Sequence, residues 1–435
     1  MSRLALALYS LIVWLIQPVV RRKLARRAVA EPLYGEHIAE RFGMYESAAS
    51  RGWVWVHAVS LGETRVAAVL IEALRQQWPG MKLLLTHGTA TGRAAGVALL
   101  REGDMQVWQP WDTVAATQAF VQHFQPCVGI LMETEVWPNL VRTCARAGVP
   151  LALVNARLSD KSLRQSLRMA WLAKPAFQRL RMVLAQTPED AQRFALLGAP
   201  VKAVLGNLKF DQTPSAVQLQ AAQAWRQGRV GGKPVVLFVS SREGEEALWL
   251  NALRDMGEDA SAVQWLIVPR HPQRFDEVAA LIEAKGFKVQ RRSSVGSFSD
   301  GLQNTVRPEP VEGQPTIWLG DTMGEMVWYC GASDLALLGG SFAPLGGQNL
   351  IEACACGCPV VMGPHTFNFA QASDMAAQQG AAFRVSAMPQ AVAQALALAQ
   401  DRATLQAARE AALAFARSQQ GSVAATAQQL SSLLP

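Results

Sequence analysis

The 435-residue chain is 50% hydrophobic, only 17% charged, and has a formal net charge of +7. This length favours two domains of roughly 150–200 residues each, and the composition leaves enough apolar material for two buried cores. The positive charge favours an anionic partner such as a phospholipid surface, a phosphorylated lipid or a nucleotide. The absence of an interleaved basic and aromatic stripe argues against nucleic acid.

The N-terminus combines an apolar run with a basic cluster. Residues 4–20 are uncharged, about the shortest length that spans a bilayer, and five arginines and lysines follow between positions 21 and 27. The sequence AVA at 28–30 is similar to a signal-peptidase site, but the basic residues precede it, which is the wrong charge order for a signal peptide. We therefore predict an uncleaved membrane anchor in residues 1–30, either spanning or interfacial, with the following chain on the cytoplasmic side.

From residue 53 onward, short apolar runs alternate with amphipathic stretches. One series of runs lies at 53–56, 83–85, 128–131, 151–154 and 182–185, and a second at 234–239, 265–268, 317–319, 335–338 and 360–362. This alternation predicts an α/β fold of two doubly wound, Rossmann-like domains that face a central cleft. The predicted boundaries are 31–211 for the first domain, 212–233 for a linker that contains a helix, and 234–435 for the second domain.

Polar loops follow the strands of the first domain. Glu63 follows the first strand in HAVSLGE (57–63) and is either a general base or an acid that complements the helix dipole. Glu133 and Glu135 follow the run at 128–131, and one of them is expected to be held near neutral or to fix a cation. Because such loops recur at the same end of many strands, they predict a ligand site there.

The glycine-rich segment at 339–368 is the main candidate phosphate site of the second domain. Its glycines lead into a small-residue helix whose free N–H groups suit a phosphate, and Glu352 could accept hydrogen bonds from a ribose. The alternative is a tight turn packed by small residues. The cysteines of CACGC (354–358) lack metal-site spacing, so reduced, buried cysteines are favoured. No GxGxxG follows a first strand, which disfavours a dinucleotide oxidoreductase.

Eleven motifs then match a known family in the same order along the chain. They are GEH (35–37), ERFG (40–43), HAVSLGE (57–63), THGTATGR (86–93), METEVWPN (132–139), NARLSDKS (155–162), GNLKFD (206–211), PRHPQRF (269–275), GDTMGEM (320–326), GGQNLIEA (346–353) and GPHTFNF (363–369). In these motifs the chain resembles the 3-deoxy-D-manno-octulosonic acid (Kdo) transferases of Gram-negative lipopolysaccharide synthesis. The resemblance implies a GT-B fold and an inverting glycosyltransferase that moves Kdo from CMP-Kdo to lipid IVA, the tetraacylated lipid A precursor. It also implies an enzyme attached to the cytoplasmic face of the inner membrane.

The resemblance implies roles for individual residues. Glu63 matches the catalytic base, and Glu133 and Lys209 match residues that stabilise the transition state. The CMP-binding segments match Pro269 and Arg270, Met323, Gly324 and Glu325, and Asn349, Leu350, Ile351 and Glu352. Arg93, Arg157 and Lys161 are candidates for binding the acceptor's phosphates, the alternative being a solvated basic face. No cofactor and no metal are expected, because no D-x-D pair stands at a strand end.

Two other functions remain open from the sequence. One is a UDP-sugar-dependent GT-B glycosyltransferase or epimerase of the cell envelope. The other is a membrane-bound nucleotide-binding scaffold without catalytic activity. The motifs do not decide how many Kdo residues are transferred, and the polar segment at 293–314 is predicted to be a surface insertion with no assigned role.

Overall fold

The computed structural model describes residues 2–211, 213–229, 232–295 and 316–434. The chain divides into two compact units, one formed by Met1–Asp211 with Gly421–Pro435 and the other by Gln212–Gln420. Of the predicted insertion at 293–314, only the 3₁₀ turn Ser293–Val295 is described, and the remainder lies outside the described residues.

The first unit is built on one parallel sheet. Its strands are β1 (Trp53–His57), β2 (Lys82–His87), β3 (Met105–Trp108), β4 (Val128–Met132), β5 (Leu151–Ala156), β6 (Met182–Ala185) and β7 (Val201–Val204). Within the described residues they pair in the order β3-β2-β1-β4-β5-β6-β7. Its helices are α1 (Ser2–Leu15), α2 (Gln17–Ala30), α3 (Leu61–Gln77), α4 (Ala90–Gly96), α5 (Val114–Phe124), α6 (Pro138–Arg146), α7 (Asp160–Arg168), α8 (Ala170–Phe177) and α9 (Pro188–Leu196).

The second unit repeats this plan. Its helices are α10 (Ala216–Arg229), α11 (Glu245–Asp255), α12 (Phe275–Ala284), α13 (Met326–Gly331), α14 (Leu350–Ala355), α15 (Ala370–Gln378), α16 (Met388–Gln400) and α17 (Arg402–Ser418). Its strands are β8 (Val235–Ser241), β9 (Gln264–Pro269), β10 (Lys288–Arg291), β11 (Thr316–Leu319), β12 (Leu335–Leu338), β13 (Val360–Met362) and β14 (Ala382–Arg384). They pair in the order β10-β11-β9-β8-β12-β13-β14 across the part of the chain that is described.

Each sheet has a point where the winding direction reverses. In the first unit β1 lies between β2 and β4, and in the second β8 lies between β9 and β12. The central strands β1, β4 and β5 are buried along their whole length, as expected where helices cover both faces of a parallel sheet. Ligands of such sheets bind outside the carboxyl ends of the strands at the reversal point. A ligand site is therefore expected at the loops that follow β1 and β4 in the first sheet and β8 and β12 in the second.

The boundaries of the two units correct the predicted ones at the C-terminus. A last helix, α18 (Ser422–Leu430), packs on α3 of the first unit rather than completing the second, and its Val423 shares a buried cluster with Leu70. The Asp211 carboxylate fixes this return by accepting hydrogen bonds from the backbone N–H groups of Gly421 (2.8 Å) and Val423 (2.5 Å). The segment predicted to be a linker belongs to the second unit, because its helix α10 packs on α13 there.

The segment predicted to be an anchor contains two helices. α1 and α2 meet at an angle of 45°. By length and composition the two helices together could cross a membrane, whereas no single helix in the described chain is long and apolar enough to do so. α2 packs on the first unit, where Leu24 joins Tyr34 and Trp108 in a buried cluster and the Arg21 guanidinium stacks 3.4 Å from the Phe42 ring. α1 leaves a row of large apolar side chains exposed, with Leu4 at 80% and Trp14 at 60%.

Candidate active site

The reversal point of the first sheet brings two predicted catalytic segments to neighbouring strand ends. β1 and β4 are paired in parallel, so the loop that carries Glu63 and the loop that carries Glu133 leave the same edge of the sheet. The 3₁₀ turn Leu208–Phe210 carries Lys209, and the Lys209 ammonium forms an ion pair with Glu133. The three residues predicted to be catalytic therefore gather within one unit.

Glu63 is the third residue of α3 and forms a reciprocal cap with the N-cap residue Ser60. The N-cap Ser60 accepts a hydrogen bond from the Glu63 N–H (3.3 Å), and the Glu63 carboxylate accepts from the Val59 N–H (2.9 Å) and the Ser60 hydroxyl (2.8 Å). Burial raises the pKa of Glu63, the Val59 and Ser60 hydrogen bonds oppose this shift, and the charges of Glu133 and Glu135 add to it. A half-buried carboxylate with a raised pKa is a stronger base than an ordinary glutamate.

Glu133 adopts a backbone conformation that is uncommon for a residue with a side chain. Its φ is 55°, in the left-handed region, and its N–H donates to the Val154 carbonyl at 3.0 Å. Such strain clusters at functional sites, because the surrounding structure must hold it in place. The strained turn directs the Glu133 carboxylate to within 3.3 Å of Lys209 Nζ, and both side chains are partly exposed. Of the two acidic residues in this loop, Glu133 is therefore the one that fixes a cation, and the cation is Lys209.

Glu135 contacts a buried histidine rather than the Lys209 ammonium. The Trp137 indole N–H donates to Glu135 at 2.9 Å, and His57 Nε2 lies 3.9 Å from the same carboxylate, too far for a hydrogen bond. Burial tends to raise the pKa of Glu135, but the His57 ring and the Trp137 indole outweigh it and hold that pKa below its ordinary value. Glu135 is therefore ionised at neutral pH, so it is not the carboxyl that is held near neutral.

His87, at the end of β2, is fully buried beside this site. Its Nδ1–H donates to the Ala58 carbonyl at 3.0 Å, and burial lowers its pKa to about 4, with His57 and Arg93 lowering it further. Because the folded pKa lies below the unfolded value, His87 stabilises the protein above pH 6.5 and loses that contribution as pH falls towards 4. We expect the loss to reach about 3 kcal/mol of the free energy of unfolding.

The measurement compares urea unfolding of wild type and His87→Gln at pH 7 and pH 4.5. Asp112, whose pKa burial raises to about 6, acts in the opposite direction and is present in both proteins, so only the difference between them reports on His87. Equal pH dependence in the two proteins would contradict the prediction.

The three residues predicted to bind acceptor phosphates do not share one environment. Arg157 and Lys161 are exposed, as a binding face requires. Arg93 is buried, pairs with Glu40 at 2.7 Å and lies over the Trp108 ring. Its charge is already neutralised inside the unit, so we correct this part of the prediction and assign Arg93 to packing between α4 and the segment before β1.

In the second unit, a glutamate fills the reversal point. Glu245, at the start of α11, is fully buried, and its carboxylate accepts hydrogen bonds from four backbone N–H groups: Arg242 (3.0 Å), Gly340 (2.7 Å), Phe342 (3.0 Å) and Ala343 (3.2 Å). Burial raises its pKa, while these hydrogen bonds counteract the rise. Three N–H groups at the start of the glycine-rich segment therefore hold a carboxylate of the chain itself. The N–H groups at the start of α14, which are the ones predicted to suit a phosphate, are not among them, and that phosphate site stays a prediction.

The later part of that segment remains next to a cation. β9 ends at Pro269, and the exposed Arg270 that follows donates from Nε to Gln348 Oε1 at 3.2 Å. Asn349 caps α14 by accepting from the Ile351 N–H at 3.1 Å, while Leu350 and Ile351 are buried. Burial raises the pKa of Glu352, and Arg270 opposes that rise. Arg270 and the stretch from Asn349 to Glu352 thus form one neighbourhood.

The third predicted CMP segment is held by a separate polar network. Glu325 pairs with Arg292 at 3.2 Å and accepts from the Thr322 hydroxyl at 2.5 Å. Gly324 has a φ of 79°, and its carbonyl accepts from Gln218 Nε2 at 2.9 Å. Met323 is 70% exposed. The Glu325 carboxylate therefore shapes this loop, which presents the Met323 side chain to solvent.

The cysteines fit the predicted reduced state. Cys354 and Cys358 are buried free thiols, and burial raises the pKa of Cys354 to about 12. Across the described ranges, no group of three or more histidine, cysteine or acidic side chains is arranged to hold a metal ion. The expectation that the chemistry needs no metal stays a prediction.

Comparison with known proteins decides the family. The family model described as 3-Deoxy-D-manno-octulosonic-acid transferase (kdotransferase) matches residues 36–212. A 3-deoxy-D-manno-octulosonic acid transferase of Bordetella pertussis is 45% identical over 381 residues, which are 86% of this chain and 85% of the relative. The chain belongs to the Kdo transferase family. It is therefore a glycosyltransferase, as the motifs predicted.

Solved structures place this Kdo transferase in a broader fold group. UDP-GlcNAc 2-epimerase from Neisseria meningitidis has a TM-score of 0.56 at 13% identity, and the match covers 88% of this chain and 99% of the epimerase chain. MurG of Acinetobacter baumannii has a TM-score of 0.53 at 12% identity, and the match covers 88% of this chain and 100% of the MurG chain. At these identities the likeness shows the fold alone. It confirms the predicted GT-B architecture with two doubly wound domains.

Sequence reasoning missed two residues that shape these sites in the Kdo transferase. Glu245 was one of three glutamates in SREGEE (241–246), and only its burial against the loop after β12 distinguishes it from Glu243. His57 was named only as part of a motif, although a histidine at the end of a buried strand beside two acidic residues was a usable signal.

Proposed function

We propose that this Kdo transferase moves Kdo from CMP-Kdo to a hydroxyl of lipid IVA with inversion at the anomeric carbon and release of CMP. One observation carries the assignment of the base. Glu63 is a half-buried carboxylate of raised pKa at the reversal point of the first sheet, adjacent in the fold to the Glu133–Lys209 ion pair. That combination supports proton removal next to a fixed positive charge.

We propose that the transfer is a single displacement at the anomeric carbon. Glu63 takes the proton of the acceptor hydroxyl as the oxygen forms a bond to the anomeric carbon. The bond between that carbon and the phosphate oxygen breaks on the opposite face, and the electron pair leaves with CMP. Inversion follows because no covalent sugar–enzyme intermediate is formed.

Lys209 is proposed to stabilise the negative charge that develops in this step. Its ammonium is held by the Glu133 carboxylate at 3.3 Å, which restricts the long side chain to one direction. A charge fixed in advance stabilises a transition state more than one that must reorganise. Glu133 therefore acts through Lys209, which is why a carboxylate contributes to stabilising an anion.

CMP is proposed to bind in the second unit. Arg270 supplies the exposed cation, Pro269 ends the strand that positions it, and the stretch from Asn349 to Glu352 lies next to it. The loop of Met323, Gly324 and Glu325 is proposed to complete the nucleotide site, with its shape held by Arg292. We propose no metal, because the exposed Arg270 supplies a cation for the phosphate within the second unit.

The deciding experiment is mass spectrometry of the products formed from lipid IVA and CMP-Kdo. We expect the acceptor to gain the mass of one or more Kdo residues, with release of CMP. Titration calorimetry with CMP and with UDP is the control. Binding of UDP without binding of CMP would instead support a UDP-sugar enzyme and overturn the proposed donor.

The enzyme is proposed to be attached to the cytoplasmic face of the inner membrane through α1. Deleting residues 2–15 should release it from membranes, because this removes the exposed apolar row and leaves α2 packed on Trp108. Transfer to detergent-dispersed acceptor should remain measurable. Sedimentation with membrane vesicles tests the prediction, and a truncated protein that still sediments with them would contradict it.

A further inference from the structure

A cavity of about 260 Å³ lies beside the anchor helix in the first unit. It is lined by Leu6 of α1, by Arg142 and Arg146 of α6, by Trp171 of α8, and by Arg179, which follows α8. This cavity, called the arginine cavity below, includes Pro138 of the METEVWPN motif in its lining, but Glu63, Glu133 and Lys209 do not line it. None of its lining residues has been given a function above.

The charge of the arginine cavity has one sign. Its described lining contains three arginines and neither aspartate nor glutamate. Arg142 and Arg146 lie one turn apart on the last part of α6, and Arg146 and Arg179 are exposed. The Arg179 guanidinium also donates to the Pro175 carbonyl, which orients it along the cavity wall. Converging guanidinium groups suit a phosphate, because each can offer two parallel N–H donors.

The surroundings of the arginine cavity are apolar and exposed. Trp171 is 46% exposed, and Met169 and Leu167 are also exposed large apolar residues on the adjoining stretch. Across the cavity, α1 exposes Leu4 and Leu8. Apolar residues around a basic pocket, with a tryptophan at its rim, are typical of protein surfaces at the boundary between lipid headgroups and acyl chains.

α1 is fixed in its orientation by polar contacts on its inner side. The Tyr9 hydroxyl donates to Asp112 at 2.8 Å, the Ser10 hydroxyl donates to Asn139 Oδ1 at 2.9 Å, and the Trp111 indole N–H donates to the Val13 carbonyl at 3.3 Å. The apolar row of α1 is therefore left exposed, and Leu6 of the same helix lines the cavity together with Trp171.

We infer that the arginine cavity binds the phosphate of an anionic glycerophospholipid headgroup while the apolar row of α1 and Trp171 enter the same leaflet. The inference rests on the membrane attachment proposed above and adds a lipid preference to it. The apolar surface would give binding to any bilayer, and the three arginines would make that binding stronger on an anionic one.

The test is sedimentation with vesicles of phosphatidylcholine alone and with vesicles in which about a third of the lipid is phosphatidylglycerol. Wild type should bind the anionic vesicles more tightly, and added salt should weaken that gain. The variant Arg142→Gln/Arg146→Gln/Arg179→Gln should lose the gain by about tenfold or more, while its binding to phosphatidylcholine is unchanged. The single variant Arg146→Glu should lose part of the gain in a protein whose cavity is otherwise intact.

The matched control removes the same charge elsewhere. Arg254→Gln/Arg402→Gln/Arg417→Gln changes three exposed arginines of the second unit and should keep the full gain. If the cavity variant keeps the full gain on anionic vesicles, the inference is overturned. If that variant keeps the gain and also shows a higher KM for detergent-dispersed lipid IVA, the phosphate bound in the cavity is that of the acceptor. Wild type that binds phosphatidylcholine without any gain overturns this inference alone. Wild type that binds neither vesicle overturns the proposed attachment as well.

Discussion

Replacing Glu63 by alanine is expected to lower kcat by about 10²–10⁴-fold, the range that general-base catalysis usually supplies. CMP binding should be largely retained, because the proposed nucleotide residues belong to the second unit. Steady-state transfer of Kdo to detergent-dispersed acceptor measures the first effect, and calorimetry with CMP measures the second. An alanine variant with full turnover would show that Glu63 is not the base.

The reciprocal cap with Ser60 gives Glu63 a structural role that the experiment must separate from catalysis. Glu63→Gln keeps a carbonyl oxygen for the Val59 N–H but cannot take a proton, so it should lose turnover with little loss of stability. Ser60→Ala should cost about 1 kcal/mol of stability through the lost cap and keep most of the turnover.

The pH profile supplies a readout that capping alone does not move. The acid limb of kcat/KM should lie above the ordinary glutamate range, because burial raises the pKa of Glu63. Ser60→Ala removes a hydrogen bond that lowers this pKa, so the limb should move to still higher pH. A limb that does not move in Ser60→Ala would mean that another group controls the profile.

Replacing Glu245 by alanine is expected to cost at least about 3 kcal/mol of the free energy of unfolding of the second unit. Alanine leaves four backbone N–H groups without their acceptor, one of them in the buried Gly340 and three in half-buried residues, and each unsatisfied donor is costly. Denaturant unfolding measures the loss. Hydrogen exchange at the Gly340, Phe342 and Ala343 amides should report it locally as faster exchange.

Two variants control this experiment. Glu243→Ala removes an exposed carboxylate two residues away and should change stability by less than about 0.5 kcal/mol. Glu245→Gln keeps one carbonyl oxygen but places an NH₂ group against backbone donors, so it should be intermediate. Stability and exchange rates in Glu245→Ala equal to those of wild type would mean that the carboxylate is not what holds this loop.

The sequence predicted the central strands and missed strands near the sheet edges. All ten predicted apolar runs form strands, because the central positions of a doubly wound sheet are buried on both faces and read as continuous apolar stretches. β7 alternates between half-buried and exposed residues, and β10 is half-buried throughout, so neither produces such a run. Edge positions of a sheet therefore leave a weaker signal in the chain.

The candidate site shows a similar division. Glu63, Glu133 and Lys209 were predicted from motifs and lie together, because each follows an element that ends at the same sheet edge. Arg93 could not be recognised as buried, since its partner Glu40 is distant in sequence. At the start of the glycine-rich segment, the N–H groups of Gly340 and Phe342 donate to the carboxylate of Glu245, about a hundred residues earlier in the chain. Long-range pairings of this kind are not visible in local patterns.

The return of residues 421–435 to the first unit has a consequence for biosynthesis. α18 covers α3, the helix that begins beside the proposed base, and Val423, Ala427 and Leu430 lie in the same buried cluster as Leu70. A ribosome releases residues 1–211 first, yet they cannot bury this face of α3 until α18 has also emerged. A premature stop codon that spares the whole second unit would therefore still expose the core beneath the helix that carries Glu63.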